Sequence, residues 1–170
     1  LKEFLKSPFG TENFTVATSH TTRAPRDGEQ DGREYHFTTI ADFEELVKNN
    51  GFVEYAKVFT NYYGTSVAEV DKLLAEGKNI ILEIDWQGAR QARDIYEDRC
   101  KSLFILPPSL AELENRLRKR ETDSEEVIAY RMEQAESEIS HASEYDVSII
   151  NDDFAESLKE LEQYFKDNAQ

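Results

Sequence analysis

Two arginines lie three positions apart in SHTTRAPRDGE, a turn-rich stretch at residues 19–29. Arg23 and Arg26 flank Pro25 and follow a candidate strand. A guanidinium group is a planar fork of donors that matches two phosphate oxygens, and ligands of α/β folds often bind at the carboxyl ends of strands. The pair therefore indicates a phosphate grip, although an exposed loop with two arginines is the commoner explanation of this pattern taken alone.

One carboxylate interrupts an apolar segment further along, FVEYAKVFTNYYGTS at residues 52–66. Glu54 would lie in a half-buried strand, where an unpaired carboxylate is costly. Guanine offers two adjacent donors, a ring N–H and an amino group, that one carboxylate can accept together, whereas adenine presents an acceptor there and would be repelled. A strand glutamate that faces solvent is the simpler explanation of this position on its own.

Two acidic residues alternate at the end of another apolar run, NIILEIDWQGA at residues 79–89. Glu83 and Asp85 are two positions apart, so on a strand their side chains would share one face. Carboxylates at the carboxyl end of a parallel strand suit contacts with a ligand or with the water shell of magnesium.

Three further arginines fall on predicted helices of a chain that has only ten. Arg116 and Arg120 are four residues apart and share a helix face, and Arg131 follows on the next helix. Such a cluster favours a clamp for phosphoryl transfer, because charge builds on the transferring group and the protein mainly neutralises it. Ordinary surface arginines paired with neighbouring glutamates explain the same spacing about equally well.

The elements that must position these residues are predicted from apolar runs and helix caps. Nearly continuous apolar runs predict buried parallel strands at 79–85, 101–106 and 146–151, with a fourth candidate at 14–19. Capping-box spacing at Ser66, Ser109 and Asp153, each followed by Glu three residues later, predicts helix starts. The predicted helices are 67–76, 110–120, 125–144 and 154–166.

Residues 33–65 differ from this α/β alternation and predict a β-rich insertion. Small strands are expected at 35–39, 52–59 and 62–65, with one helix near 42–49. From residue 79 onward, the alternation of strands and helices predicts an α/β fold with a parallel sheet.

Charge and composition restrict the partners. With 35 acidic and 20 basic residues the formal net charge is −15, which disfavours nucleic acid and anionic membrane as partners. The lone Cys100 allows no internal disulfide and suits a reducing compartment. His20, His36 and His141 have no metal-ligand spacing, so no protein-bound metal is expected. With no apolar run of about 20 residues, a soluble intracellular domain is expected.

Seven strings, in order and at matching spacing, resemble the guanylate kinase family over nearly the whole chain. They are SHTTRAPRDGE, GREYHF, NYYGTS, EIDWQGA, LPPS, DSEEVIAYR and IINDD. The resemblance implies a P-loop NTPase-type parallel-sheet core with helices on both faces, a β-rich GMP-binding insertion and a helical lid. It implies a single domain over 1–170, with core segments at 1–32, 66–115 and 136–170, the GMP-binding region at 33–65 and the lid at about 116–135.

The resemblance also implies roles for individual residues. Those that would hold the GMP phosphate are Arg23, Arg26, Tyr35 and Tyr63, with Glu29 supporting the arginines. Those that would read guanine are Ser19, Glu54, Thr65 and Asp85. Arg116, Arg120 and Arg131 would close on the ATP phosphates and the transferring group. Asn151 would lie near the adenine of ATP, and Glu83 would help organise magnesium.

One departure from the family pattern concerns ATP. The 170 residues contain no G-x-x-x-x-G-K-[ST], the loop whose amides, lysine and hydroxyl hold ATP phosphates and magnesium. In the family this loop precedes the first helix, so we expect the domain as given to be N-terminally incomplete and the complete protein to carry the loop. We expect the residues given to bind GMP better than ATP and to catalyse poorly.

The expected activity is a cytoplasmic, magnesium-dependent transfer of the ATP γ-phosphoryl group to GMP, giving ADP and GDP. ATP with Mg²⁺ is a co-substrate, and no tightly bound cofactor, nucleic acid or membrane partner is expected. The alternative is a catalytically inactive guanylate-kinase-like module that binds phosphorylated peptides on the same concave surface. The missing loop favours this alternative, and the complete set of GMP and lid residues opposes it.

Overall fold

A computed structural model of the protein describes residues 1–58, 60–119 and 124–169. They form two compact units, one built from Lys2–Cys100 and the other from Lys101–Asn168. Both units mix helices with short strands.

The helices of the first unit are α1 (Lys2–Lys6), α2 (Pro8–Asn13), α3 (Ile40–Lys48), α4 (Val67–Ala75) and α5 (Trp86–Tyr96). Its strands are β1 (Phe14–Val16), β2 (His20–Thr21), β3 (His36–Phe37), β4 (Phe52–Val58), β5 (Asn61–Ser66) and β6 (Asn79–Ile81). In chain order, the second unit contains β7 (Leu103–Leu106), α6 (Leu110–Lys119), α7 (Glu125–Ser140), β8 (Val147–Ile150) and α8 (Phe154–Asn168).

Parallel pairing occurs where the continuous apolar runs predicted it. β1 pairs with β6, and β7 pairs with β8, both in parallel. A separate four-stranded sheet has the order β3-β2-β5-β4 and contains two antiparallel pairs, β2 with β5 and β4 with β5. The predicted β-rich segment therefore forms a sheet, and this sheet also takes in β2 from the preceding segment.

The three predicted caps begin helices at the expected residues. The Ser66 hydroxyl accepts from the Glu69 N–H at 3.2 Å, which starts α4 at Val67. Equivalent bonds join Ser109 to the Glu112 N–H at 3.1 Å and Asp153 to the Glu156 N–H at 3.0 Å. The acidic side chains of these boxes bind elsewhere: Glu69 lies 3.9 Å from His36, and Glu112 and Glu156 pair with Arg116 and Lys159.

The predicted strand at 79–85 is too long. β6 ends at Ile81, and Asp85 is instead the N-cap of α5, accepting from the Gly88 N–H at 2.8 Å. The sequence analysis does not predict helix α5, because it assigns Glu83 and Asp85 to the end of the strand. The predicted helix 125–144 is divided, since α7 ends at Ser140 and a 3₁₀ turn, Ala142–Glu144, follows.

The core of the first unit fixes α4 and α5 against the strands. Val53 of β4, Val70 of α4 and Ala92 of α5 are each at most 2% exposed and pack in one cluster with Tyr96. The Tyr96 hydroxyl donates to Asp71 at 3.1 Å, and burial together with this carboxylate raises the pKa of Tyr96 to about 12. The phenol is therefore a neutral donor that joins the two helices.

Aromatic packing holds α3 on the four-stranded sheet. Phe43 of α3 is fully buried and stacks on Phe52 and Tyr62, with ring centroids 4.3 Å and 5.4 Å away. Burial of one such ring contributes about 1.5–3 kcal/mol. α3 is thus tied to β4 and β5, the two strands that carry several of the predicted site residues.

In the second unit, Asp146 joins the start of β8 to the start of β7. Its carboxylate accepts from both the N–H and the hydroxyl of Ser102, at 2.6 Å and 2.8 Å. The Tyr164 hydroxyl of α8 donates to the Ser102 carbonyl at 3.3 Å. None of the helices in the described ranges combines the length and hydropathy that crossing a membrane would require.

Candidate functional site

Three of the predicted ligand residues of the first unit lie on two neighbouring strands of the four-stranded sheet, β4 and β5. In β5, Thr65 pairs with Glu54 of β4, and Tyr63 pairs with Thr21 of β2. Gly64 lies between them, and a Cβ there would be 2.9 Å from the Glu54 carbonyl oxygen. A glycine therefore allows β5 to fit closely between its neighbours.

A chain of hydroxyl groups leads to the Glu54 carboxylate. Thr65 Oγ1 donates to Glu54 Oε1 at 2.8 Å and lies 3.0 Å from Ser19 Oγ. Because an ionised carboxylate only accepts, the Thr65 proton is committed to Glu54, and Ser19 must donate to Thr65. The unused capacity of Ser19 Oγ and of Glu54 is therefore acceptor capacity, which suits a ligand with several donors.

The environment of Glu54 makes its charge sensitive to a ligand. Burial raises its pKa above the ordinary value, the side-chain and backbone donors of Thr65 lower it, and the negative charge of Asp85 raises it. The net direction is upward. A ligand that donates two hydrogen bonds to this carboxylate would stabilise its charged form.

The N-terminus of α5 packs directly against Glu54. A Cβ on Gly88 would lie 3.1 Å from the Ile84 Cβ and 3.3 Å from the Glu54 Cβ, tighter than most van der Waals contacts. The helix can approach β4 so closely only with glycine at this position. Asp85, predicted to read a base, uses one carboxylate oxygen to cap this helix, so at most its other oxygen remains for a ligand.

The second group of predicted residues surrounds an arginine. Arg23 donates to Glu29 Oε1 at 2.9 Å, and Glu29 Oε2 accepts from the Arg26 N–H at 2.7 Å. The Arg23 and Glu29 side chains are only 16% and 17% exposed. The Arg26 N–H and the Arg23 guanidinium both hold the pKa of Glu29 below its usual value. One carboxylate thus fixes the turn that carries both arginines.

Aromatic rings form the wall beneath Arg23. Its guanidinium carbon lies 5.5 Å from the centroid of Tyr35 and 5.8 Å from that of Phe37. The rings of Tyr35 and Tyr63 meet edge to face at 5.9 Å. Desolvation lowers the pKa of Arg23, but hydrogen bonds with Glu29 and Tyr63 outweigh it and raise the pKa. The exposed Arg26 guanidinium donates to no residue in the described part of the chain.

The two groups share one face of the sheet. Tyr63 and Thr65 are two residues apart on β5, so their side chains point the same way, about 7 Å apart along the strand. One end of this face therefore presents cationic and phenolic donors, and the other presents acceptors. Of the predicted phosphate residues, Arg23, Tyr35 and Tyr63 are in contact with one another, and Arg26 joins them only through its backbone N–H on Glu29. Of the predicted base residues, Ser19, Thr65 and Glu54 form one hydrogen-bonded chain, and Asp85 lies at the neighbouring helix start.

In the second unit, Arg116 is held by its own helix and by the end of β8. Its Nε donates to Glu112 at 2.8 Å, and its Nη1 donates to the Asn151 carbonyl at 2.8 Å. Asn151, predicted to lie near adenine, here contributes its backbone to the positioning of an arginine. The pair with Glu112 is the helix-surface ion pair that a spacing of four residues allows, as the sequence analysis considered for these arginines.

The other arginines of this unit have different environments. Arg118 contacts Glu114 and Glu125, and these carboxylates raise its pKa, so its guanidinium is engaged in ion pairs. Arg131 lies exposed on α7. Arg120, a predicted catalytic residue, lies outside the described residues.

The predicted magnesium role of Glu83 has limited support from the geometry. Glu83 is exposed after the end of β6, and Asp85 is half-buried at the helix cap. Within the described ranges, no group of three or more His, Cys, Asp or Glu side chains could hold a metal ion. The carboxylates present suit contacts with the water shell of an ion that a ligand brings with it.

Both units combine helices with parallel strand pairs, as α/β proteins do. A family model described as guanylate kinase matches residues 4–168, and the chain belongs to the guanylate kinase family. The family and the α/β fold class predicted from the sequence are both confirmed.

Individual relatives agree with this assignment. The chain is similar to the guanylate kinase of Francisella tularensis subsp. tularensis strain FSC 198, with 65% identity over 100% of this chain and 90% of the relative. It is 54% identical to the guanylate kinase of Histophilus somni strain 129Pt, over 91% of this chain and 74% of that one. The crystal structure of guanylate kinase from Anaplasma phagocytophilum superposes with a TM-score of 0.73 and 32% identity, covering 94% and 78% of the two chains.

Proposed function

We propose that this protein transfers the γ-phosphoryl group of ATP to GMP, giving ADP and GDP. Membership of the guanylate kinase family supports the reaction. The observation that carries the substrate assignment is the single sheet face with Arg23 and Glu29 at one end and the Ser19–Thr65–Glu54 chain at the other. Nothing in the relatives favours the inactive phosphopeptide-binding alternative.

At the phosphate end, Arg23 and Arg26 bind the GMP phosphate together with the hydroxyls of Tyr35 and Tyr63. The ion pair with Glu29 supports this assignment, because it fixes Arg23 before the ligand arrives and so reduces the entropy lost on binding. The exposed Arg26 guanidinium supplies a second fork whose backbone is already anchored to the same carboxylate.

At the base end, Glu54 accepts from the ring N–H and the amino group of guanine. Thr65 supports this role, since its hydroxyl orients the carboxylate from the side. Ser19 contributes acceptor capacity, and the free oxygen of Asp85 accepts from the same edge of the base. Adenine would place a ring acceptor against Glu54, which leaves the carboxylate unpaired and rejects AMP.

For the chemical step, Arg116, Arg120 and Arg131 neutralise the charge that develops on the transferring group. The transfer is direct and in line, with no covalent enzyme intermediate. Glu112 and the Asn151 carbonyl support the role of Arg116, because they use Nε and Nη1 and leave Nη2 for a phosphate oxygen. Asn151 also lies where the adenine of ATP binds.

Magnesium enters with ATP as part of the co-substrate. Glu83 and Asp85 interact with its water shell rather than with the ion itself. The chain contains no G-x-x-x-x-G-K-[ST], and we propose that these 170 residues, used alone, bind ATP more weakly than GMP and turn over slowly.

The remaining assignments concern organisation and setting. One guanylate kinase domain spans 1–170, with the GMP-binding region at 33–65 and a lid at about 116–135. The net charge of −15 supports small anionic substrates gripped at local arginines rather than nucleic acid or membrane partners. Because ATP and GMP are cytoplasmic metabolites, we place the enzyme in the cytoplasm.

A coupled assay of ADP release tests the proposal directly. We expect release that depends on GMP and that AMP does not support. The same preparation of the Glu54→Gln variant should show a smaller preference for GMP than the parent chain does. If ADP release by the parent chain proceeds equally with AMP, the proposed reaction is wrong.

A further inference from the structure

We infer that Thr21 is a positioning residue that sets Arg23 for the GMP phosphate. The inference rests on the proposed phosphate site and adds to it a residue that does not touch the substrate. Thr21 belongs to β2, two residues before Arg23, and is 0% exposed. A fully buried hydroxyl is costly unless it is hydrogen-bonded, so its partners indicate what it stabilises.

The Thr21 hydroxyl has two backbone partners. It donates to the Tyr62 carbonyl of β5 at 3.1 Å and accepts from the Arg23 N–H at 3.2 Å. The first bond ties β2 to β5, the strand that carries Tyr63. The second bond fixes the backbone of Arg23 at the point where the chain leaves β2. One side chain thus connects the backbone of Arg23 to the strand that carries Tyr63.

These two bonds are not equally replaceable. The Tyr62 carbonyl also accepts from the Thr22 N–H at 3.1 Å, so it keeps a donor when the Thr21 hydroxyl is removed. Among the described residues, the Arg23 N–H has no acceptor other than Thr21 Oγ1. Loss of the Thr21 hydroxyl therefore mainly removes the hydrogen-bond acceptor of the Arg23 N–H.

The position of the Arg23 backbone matters because the Arg23 guanidinium must satisfy two contacts at once. The guanidinium must reach Glu29 at 2.9 Å and lie over the ring of Tyr35 at the same time. A shift of the Arg23 backbone would therefore move the guanidinium out of line with both Glu29 and Tyr35. Thr21 thus acts on phosphate binding through Arg23 and leaves the base end, at Glu54 and Thr65, unchanged.

A double-mutant cycle for GMP binding tests the inference. The four proteins are the parent chain, Thr21→Val, Arg23→Ala and the double variant, and the dissociation constant of GMP is measured by NMR titration. Valine keeps the shape of threonine and removes the hydroxyl. We expect Thr21→Val to weaken GMP binding about three- to tenfold, the scale of one hydrogen bond. If Thr21 acts through Arg23, the double variant should bind GMP no more weakly than Arg23→Ala.

Controls separate positioning from general damage. Thr21→Ser keeps the hydroxyl and should restore binding to within twofold of the parent chain. Thr15→Val makes the same change at a half-buried threonine of β1 and should leave binding unchanged. Thr21→Ala removes the same hydroxyl without adding a methyl group in its place. If valine prevents folding, Thr21→Ala replaces it in the cycle, and we expect the same loss of GMP affinity.

The possible outcomes distinguish this inference from the proposed function. If Arg23→Ala binds GMP as well as the parent chain does, the proposed phosphate site itself is wrong. If Arg23→Ala weakens binding but the effect of Thr21→Val multiplies with it, Thr21 does not act through Arg23. A Thr21→Val variant that binds like the parent chain would equally overturn the inference.

Discussion

The arginines of the proposed GMP site and those of helices α6 and α7 lie in different environments. In the first unit, Arg23 is paired with a carboxylate, and both side chains are less than a fifth exposed. In the second unit, the Arg118–Glu125 pair is 44% and 77% exposed, and Arg116 and Glu112 are about one-third exposed. Partly buried pairs are screened less by water than exposed ones and hold a defined geometry.

This difference indicates a division of roles. A site that must recognise a phosphate and a base benefits from side chains fixed before binding, because less entropy is lost when the ligand arrives. Arginines that act in the chemical step meet the phosphates only as the reaction proceeds, so their contacts with the protein can be weaker. An exposed pair such as Arg118–Glu125 contributes only about 0–1 kcal/mol, and the contacts of Arg116 leave its Nη2 for a phosphate oxygen.

The largest effect on activity is expected for the replacement of Arg131 on helix α7. Arg131→Ala should lower kcat about 10²–10³-fold, since it removes a charge that matters mainly in the transition state. The KM for GMP should stay within about twofold, because Arg131 is not among the residues proposed to bind GMP. Initial rates of ADP release over a range of GMP concentrations, with the parent chain measured alongside, give both constants. A large rise in the KM for GMP with an unchanged kcat would contradict the proposed division between binding and the chemical step.

The next effect concerns the base end of the sheet. Glu54→Gln should weaken GMP binding about 10–100-fold, the scale of hydrogen bonds to a charged group, and should narrow the preference over AMP. Glutamine places one amide donor against a guanine donor, so only one of the two bonds can form. Glu76→Gln, which removes the same charge at the end of α4, is the matched control and should not alter either affinity. Unchanged selectivity in Glu54→Gln would assign base recognition elsewhere.

Residue type and family resemblance are enough to name candidate site residues such as Arg23, Glu54 and Thr65, and their roles stay predictions. The partners that orient them were only partly found, because a cross-strand pair depends on register, which no local pattern contains. The hydroxyl chain from Ser19 through Thr65 to Glu54 spans 46 residues at its first step and became apparent only in the structure.

The helix α5 shows why one element was missed. Its cap, Asp85, follows directly on the apolar run that contains β6, so acidic alternation was interpreted as a strand end. The structural reason for Gly88 is a tertiary contact with Glu54, which has no local signature. The three predicted caps at Ser66, Ser109 and Asp153 succeeded because capping is a local interaction between residues three apart.

A smaller effect is expected when the pH is lowered. Glu54 must be ionised to accept two donors from guanine, and burial has already raised its pKa in the free chain. As the pH falls through this raised pKa, the carboxyl takes up a proton, and GMP affinity should fall earlier than an exposed glutamate would allow.

The GMP phosphate itself titrates near pH 6, so the measurement needs a reference. GMP is titrated into the parent chain and into Glu54→Gln at each pH. Ionisation of the phosphate affects both affinities alike, so their ratio gives the contribution of the Glu54 carboxylate. We expect this ratio to shrink as the pH drops towards 4.5. A ratio that stays constant across the range would mean that Glu54 does not contact the base in its charged form.

The smallest expected effect compares the two units through their helix caps. Ser66 is 5% exposed and begins α4 within the packed core, whereas Ser109 is exposed at the start of α6. Ser66→Ala should lower the free energy of unfolding by about 1–2 kcal/mol, and Ser109→Ala by about 0.5 kcal/mol. Removing the buried hydroxyl leaves the Glu69 N–H without its partner and without easy access to water.

Urea titrations measure the two caps with different probes. The single tryptophan, Trp86 at the start of α5, reports on the first unit, and far-UV circular dichroism reports on all helices. Ser66→Ala should shift the Trp86 fluorescence transition by more than Ser109→Ala does. Equal shifts from the two variants would show that the buried cap at Ser66 contributes no more stability than the exposed cap at Ser109.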